Sequence, residues 1–380
     1  MRFEFATATR IVFGAGALRE VPAAAAEMGR MALLVTRRSA EIKRAGITGV
    51  PFPIHGEPTL DVVRQGVQLA RDESCDLVIA MGGGSAIDAG KAIAALLANA
   101  GDPLDYLEVI GQGRPLQHPS IPFIAIPTTA GTGAEVTRNA VLASPADRVK
   151  ASLRSPHMLP ALAVVDPELT LTLPPAWTAS TGLDALTQLI EPYVSSRANA
   201  LTDMYCVEGM RLVATALCRA WRDGHDLKAR ADMAFASLLG GLSLANAGLG
   251  AVHGFAAPLG GMFDAPHGAL CAALLPYAMR VNIAALRAAP PDADSNMESL
   301  LRYTTVARTL TGRDSALPED GVEWVDALCR DLEIPPLSAY GVRQEDVPAL
   351  AEKAARASSM KANPILLRPT QLEELISLAL

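Results

Sequence analysis

The chain has 380 residues, half of them apolar and 19% charged, with a formal net charge of -7. That length is long for one hydrophobic core and predicts two domains in a well-packed globule. The acidic balance excludes a basic nucleic-acid footprint, while an anionic ligand held by local groups stays compatible with it. Five scattered cysteines (Cys75, Cys206, Cys218, Cys271, Cys329) form no CxxC pair. They fit a reducing compartment and give no zinc-thiolate signature. The opening MRFEFATATRIVFGAG lacks a basic region followed by an apolar run, so the expected location is the cytoplasm.

In chain order, MALLVT (31–36), DLVIAMGGG (76–84) and PFIAIPTT (122–129) are apolar runs closed by Gly, Thr or Pro, as buried strands are. TLDVVRQGVQLARDE and SAIDAGKAIAALLANA between them have helical periodicity. Strand and helix alternating in this way predict a parallel α/β sheet. ALAVVDPELTLTLPP (161–175) reads as a last extended segment punctuated by Pro174 and Pro175. From Trp177 onward long apolar-periodic stretches dominate. The expected division is therefore an α/β domain over 1–176 and a nearly all-α domain over 177–380.

Residues 233–263 contain no Asp, Glu, Lys or Arg, which is long enough to span a bilayer. The stretch is rich in small residues, holds His253, is interrupted by Pro258 and lacks basic flanks. Buried core helices are the expected reading, with no membrane association.

MGGGSAIDAGK (81–91) follows a strand and opens a helix. Glycines there let a backbone approach a phosphate, which a helix N-terminus attracts through free N–H groups and its partial positive charge. A tight βα turn with Ser85 as its cap is the bland alternative. The segment is neither GxGxxG nor a P-loop, because Lys91 lies too far along. IPTTAGTGAEVT (126–137) adds Thr128, Thr129, Thr132, Gly131 and Gly133 at the next strand's carboxyl end. Together the two turns predict a nucleotide crevice.

STGLDALTQLIEPY (180–193) places Asp184 in an apolar helical segment with Gln188 one turn on, so the two share a face. An inward carboxylate needs a partner. His253 and His267 lie in or beside the uncharged stretch, and with Asp184 they offer the N and O donors of a divalent-metal site. A pair of satisfied core histidines is the competing explanation. The other four histidines lie in polar or Pro-rich settings.

GGGSAIDAGK, IPTTAGTGAEVT, STGLDALTQLIEPY and HGFAAPLGGMFDAPHG resemble, in order and spacing, the signature blocks of the iron-containing (group III) alcohol dehydrogenase family. The resemblance runs from RIVFGAG to KANPILLRPT, nearly the whole chain. It implies an N-terminal Rossmann-like dinucleotide-binding domain, a helical C-terminal domain, and a cleft holding NAD(P) and usually Fe²⁺ or Zn²⁺. Carried over by position, Gly83, Gly84, Ser85 and Asp88 surround the pyrophosphate. Thr128, Thr129, Thr132 and Thr137 line the ribose and nicotinamide side, and Lys150 reaches a ribose hydroxyl. Asp184, Gln188, His253 and His267 fall on the metal ligands.

Three positions depart from the family. Gln188 stands where the second metal ligand is normally histidine, and an amide oxygen is a poorer ligand for Fe²⁺ or Zn²⁺. The site is then weak, tuned to a harder metal, or empty. Ala257 stands where many members carry a proton-relaying histidine; Asp264 is a substitute, or merely a turn residue. Arg37 stands where NAD-preferring members tend to have Asp, and with Arg38 it tilts the choice toward NADP.

The expected function is NAD(P)-dependent interconversion of a small aldehyde or ketone and an alcohol, with His253, His267 and Asp264 as the catalytic candidates. A maleylacetate-reductase-like enzyme, working with or without a metal, is one alternative. A non-catalytic nucleotide-binding protein with a decayed metal site is another. The resemblance also implies a homodimer or larger homo-oligomer.

Overall fold

The computed structural model describes residues 2–290 and 294–380. The chain divides into an α/β unit, Phe5–Thr172, and a helical unit from Leu173 to Leu380, which the residues up to Glu4 join.

The α/β unit is built on six parallel strands. These are β1 (Arg10–Phe13), β2 (Ala32–Val35), β3 (Val50–Phe52), β4 (Leu77–Gly82), β5 (Phe123–Pro127) and, after a hairpin of β6 (Asn139–Ser144) and β7 (Val149–Arg154), β8 (Leu162–Val165). They lie in the order β1-β8-β5-β4-β2-β3. Central strands of such a sheet are covered on both faces, which is why β2 and β4 are apolar at every position. Successive residues still alternate between the faces. Leu33, Val35, Val78 and Ala80 pack under α3 (Leu60–Asp72) and α4 (Gly84–Ala98). Ala32, Leu34, Leu77 and Ile79 pack under α1 (Val21–Met28) and α2 (Ser39–Arg44). A one-turn α5 (Pro103–Tyr106) completes the helices of this unit.

β2 and β4 are neighbours, while β3 lies on the far side of β2. The chain therefore reverses direction across the sheet between β2 and β4. Ligands of open α/β sheets bind at the strand carboxyl ends beside such a reversal.

Two details depart from expectation. The 161–175 segment is extended only over β8; Asp166 then turns it into a 3₁₀ helix, Pro167–Thr170. The Asp166 carboxylate accepts from Glu168 N at 3.0 Å, Gly16 N at 3.1 Å and Leu18 N at 3.0 Å, and these bonds favour the turn over further strand. The short edge strands β1 and β3 and the β6–β7 hairpin carry no long apolar run. β3 even contains Pro51, tolerable at an edge where the missing N–H is not needed.

The helical unit comprises α6 (Pro175–Val194), α7 (Ala200–Arg222), α8 (Leu227–Ala247), α9 (Ala251–Met262), α10 (His267–Ala288), α11 (Asp294–Thr311), α12 (Pro318–Asp331), α13 (Val347–Arg356) and α14 (Pro369–Leu378). α6 is its centre, with sixteen buried residues, and packs against α7, α8 and α10. Arg230, itself buried, pins the start of α6 by donating to Thr178 Oγ1 at 2.7 Å and Leu173 O at 3.0 Å. The uncharged stretch forms the end of α8 and all of α9, bent by 98°. Among the described residues α10 alone is long and apolar enough to cross a membrane by itself, and 83% of its apolar window is buried inside the protein.

Candidate metal centre and nucleotide site

Asp184, Gln188 and Glu191 stand at i, i+4 and i+7 of α6, one continuous buried stripe. α9 supplies His253 from its first turn, and α10 supplies His267 as its first residue and Cys271 one turn later. The N-terminus of α10 approaches α6 closely because residue 268 is glycine. A Cβ there would lie 2.7 Å from Ser180 O.

The donor atoms converge. His253 Nε2 lies 3.5 Å from Asp184 Oδ1, and His267 Nε2 lies 3.9 Å from the same oxygen. Cys271 Sγ is 3.8 Å from His253 Nε2 and 3.6 Å from His267 Nε2. One donor atom from each of these four residues falls within 4.8 Å of all the others. His253 Nδ1 meets Glu191 Oε2 at 2.7 Å, while Glu191 Oε1 accepts from Val252 N at 2.7 Å. Glu191 thus orients the imidazole so that Nε2 faces the cluster. His253 and Asp184 are buried; the His267 side chain is 37% exposed and forms the solvent-reachable side of the cluster.

Asp184 Oδ1 and Gln188 Oε1 are buried without a hydrogen-bond partner. Leaving such atoms unpaired costs about 1–3 kcal/mol each, more for a charge. The electrostatics also favour positive charge at this point. Burial would lower the His267 pKa, but the charges of Cys271 and Asp184 overcome it and raise it to about 9. Burial likewise opposes protonation of His253, which Cys271, Asp184 and Glu191 nevertheless hold well above its ordinary range. Burial would raise the Asp184 pKa, yet the two histidines and Gln188 hold it below the usual carboxylate value. Orphaned oxygens, inward nitrogens and a local preference for positive charge fit a divalent cation.

Sequence reasoning placed Asp184, Gln188, His253 and His267 here. It missed Glu191 and Cys271, whose i+7 and i+4 spacings from Asp184 and His267 were the available signals. Asp264, between α9 and α10, is exposed and stands outside the cluster. Ala257 is exposed as well.

In the α/β unit, Gly83 precedes α4 and no side chain caps that helix. The earliest N–H to turn inward is Ala86 N, bonded to Gly83 O at 3.1 Å, so the first N–H groups have no intrahelical acceptor. The threonine loop lies alongside. A Cβ on Gly83 would meet Thr129 Cγ2 at 3.4 Å, and one on Gly84 would meet Thr132 Cγ2 at 3.0 Å. The two turns read from sequence are thus neighbours, and Thr128 is bonded across through its N–H to Gly82 O at 2.9 Å. Ser85 is half-buried at the start of α4. Asp88 accepts from Val141 N at 3.0 Å.

Thr137 is buried and its hydroxyl is engaged at 2.7 Å by Lys91 Nζ, which also donates to Asn139 O at 2.8 Å. Thr137 braces the floor of the loop together with this fully buried lysine, whose pKa burial lowers to about 8. Lys150 pairs with Glu57 at 3.2 Å on the hairpin. Arg37 follows β2, exposed and with no ion-pair partner among the described residues. Arg38 is committed within the unit, donating to Leu169 O at 2.9 Å and Thr172 Oγ1 at 2.8 Å.

A Rossmann-like sheet with a glycine turn, joined in one chain to a helical unit bearing an Asp/His/His cluster, defines a dehydrogenase architecture. The model of the iron-containing alcohol dehydrogenase family matches residues 8–167, and that of the family's C-terminal region matches 178–380. The 1,3-propanediol dehydrogenase of Citrobacter freundii is 36% identical, covering 88% of each chain. The lactaldehyde reductase of Escherichia coli K12 is 38% identical over 84% of this chain and 80% of its own. A solved 1,3-propanediol oxidoreductase superposes with a TM-score of 0.91 at 32% identity and full coverage of both chains. The chain belongs to the iron-containing alcohol dehydrogenase family. It is an oxidoreductase acting on CH–OH groups, interconverting alcohol and aldehyde with a nicotinamide cofactor, as the family does.

Proposed function

We propose that this enzyme reduces a small hydroxylated aldehyde, reversibly, with metal assistance. The observation that carries the metal reading is the orphaned Asp184 oxygen facing His253 and His267. Asp184, His253 and His267 would hold the ion, with Gln188 or another neighbour completing its shell. A bound divalent cation supplies Lewis-acid polarisation of the carbonyl oxygen. The nicotinamide supplies the hydride, and the protein's part is to place it.

The chain's own contributions are more specific. Asp184 brings negative charge that His253 and His267 alone lack, and Glu191 fixes the ring of His253. The uncapped start of α4 and the threonine loop receive the pyrophosphate, supported by their side-by-side placement. Ala257 carries no acid–base group and Asp264 is exposed, so the product proton is assigned to water entering at the open side of His267. The non-catalytic alternative, raised by Gln188 and Ala257, is disfavoured by the dehydrogenases and reductases among the relatives.

Arg37, exposed beyond β2 and without an ion-pair partner among the described residues, supports a preference for the 2′-phosphate of NADP. Relatives named for 1,3-propanediol and lactaldehyde support a short, hydroxylated substrate. A panel of two- to four-carbon aldehydes with NADH and NADPH, each with and without added Fe²⁺ or Zn²⁺, tests the reading. No turnover under any combination would overturn it.

A further inference from the structure

We propose that Cys271 is a metal ligand in this chain. Its thiolate would supply, with Asp184, His253 and His267, four donors that favour borderline cations such as Zn²⁺ over hard ones, the carbonyl oxygen entering as a fifth. The proposal rests on the metal reading above and adds to it the identity of the fourth donor.

Cys271 is fully buried and lies one helical turn beyond His267, so both side chains leave α10 on the same face. A tetrahedral site with Zn–N near 2.0–2.1 Å and Zn–S near 2.3 Å has donor–donor edges of about 3.3–3.6 Å. Four of the six separations among Cys271 Sγ, Asp184 Oδ1 and the two Nε2 atoms run from 3.5 to 3.9 Å. Contraction of these four by a few tenths of an ångström would bring them to the edges of that polyhedron. The remaining nitrogen of His253 is occupied by Glu191, which leaves the nitrogen nearest Cys271 free to ligate.

Gln188 is the competing fourth donor. Its Oε1 is buried without a hydrogen-bond partner, but an amide oxygen is a poorer ligand than a thiolate for Zn²⁺. A neutral amide also leaves a buried divalent charge only half balanced. Asp184 and a Cys271 thiolate together neutralise it, and a buried site favours a zero sum. Thiolate additionally selects softer ions, whereas carboxylate and amide oxygens alone suit Mg²⁺ or Mn²⁺. The other four cysteines stand outside this cluster.

The test is cobalt loading of metal-stripped full-length protein, followed spectroscopically. The wild type should show a near-ultraviolet thiolate-to-cobalt charge-transfer band, absent in Cys271→Ser, which should also lose at least about tenfold in Zn²⁺ affinity. X-ray absorption of the zinc-loaded wild type should find one sulfur near 2.3 Å; this decides the matter even if the variant does not fold. Cobalt bound without the band, a band that survives in Cys271→Ser, or a zinc shell without sulfur would overturn the proposal while leaving the metal reading intact. Failure of the wild type to bind either ion would overturn both.

Discussion

Glu191 Oε2 lies 2.7 Å from His253 Nδ1, and the second oxygen of Glu191 accepts from Val252 N at the same distance. One carboxylate on α6 therefore sets both the ring of a proposed ligand and the first turn of the helix that carries it. Removing such outer-shell partners typically costs about 10–100-fold in metal affinity. Glu191→Ala should lower Zn²⁺ affinity by that order, measured by competition with a chromophoric chelator. Unchanged affinity would mean that His253 is positioned by packing alone.

The glycine turn should be a cofactor determinant and not a folding determinant. A Cβ on Gly83 meets only ordinary contact distances, the nearest being Thr129 Cγ2 at 3.4 Å. Gly83→Val should keep its far-ultraviolet spectrum and lose about tenfold or more in NAD(P)H affinity, read by fluorescence titration, because branches would occupy the path of the pyrophosphate. Equal affinity would move the pyrophosphate elsewhere.

Arg37→Asp should reverse cofactor discrimination. A charge-assisted contact to phosphate is worth about 1.5–3 kcal/mol, so NADPH affinity should fall roughly tenfold or more while NADH is spared. A wild type that already prefers NADH, with a variant that behaves alike, would show Arg37 to be merely solvated. Arg38 should not substitute for it, being tied to Leu169 O and Thr172.

Two buried groups should shape the pH dependence of stability in the α/β unit. Burial raises the Glu135 pKa from 4.5 to about 7. Between these values the folded chain keeps a proton the unfolded chain has released, so stability falls as pH rises through the window. Burial lowers the Lys91 pKa from 10.5 to about 8. Above pH 8 the unfolded chain holds the extra proton, and stability recovers as pH climbs toward 10.5. Glu135→Gln should flatten the first limb, by on the order of 3 kcal/mol at most, and widen the second by removing a charge that helps keep Lys91 protonated. Urea midpoints at pH 5 and pH 7 check this; an equal drop in variant and wild type would contradict it.

What was legible in the sequence followed from how strongly burial constrains composition. β2, β4 and β5 are covered on both faces, so their apolar runs stood out, and α3 and α4 kept a helical period. β1 and β3 are edge strands of three or four residues with little burial to enforce a pattern. In the candidate metal cluster, Asp184 and His253 were readable because charged or polar groups inside an apolar stretch need a reason. Cys271 was not, since a buried cysteine is also an ordinary small core residue. Thr137 shows the opposite limit: its place in the motif was readable, but only packing reveals that its hydroxyl serves Lys91.

The most direct test of the central claim is turnover of a short hydroxyaldehyde followed alongside bound-metal content through chelation and reconstitution. The account predicts that NAD(P)H oxidation falls in proportion to metal removed, while cofactor affinity stays unchanged. It should then return on addition of Zn²⁺ or Fe²⁺. Full turnover in protein shown by elemental analysis to be free of metal would contradict it.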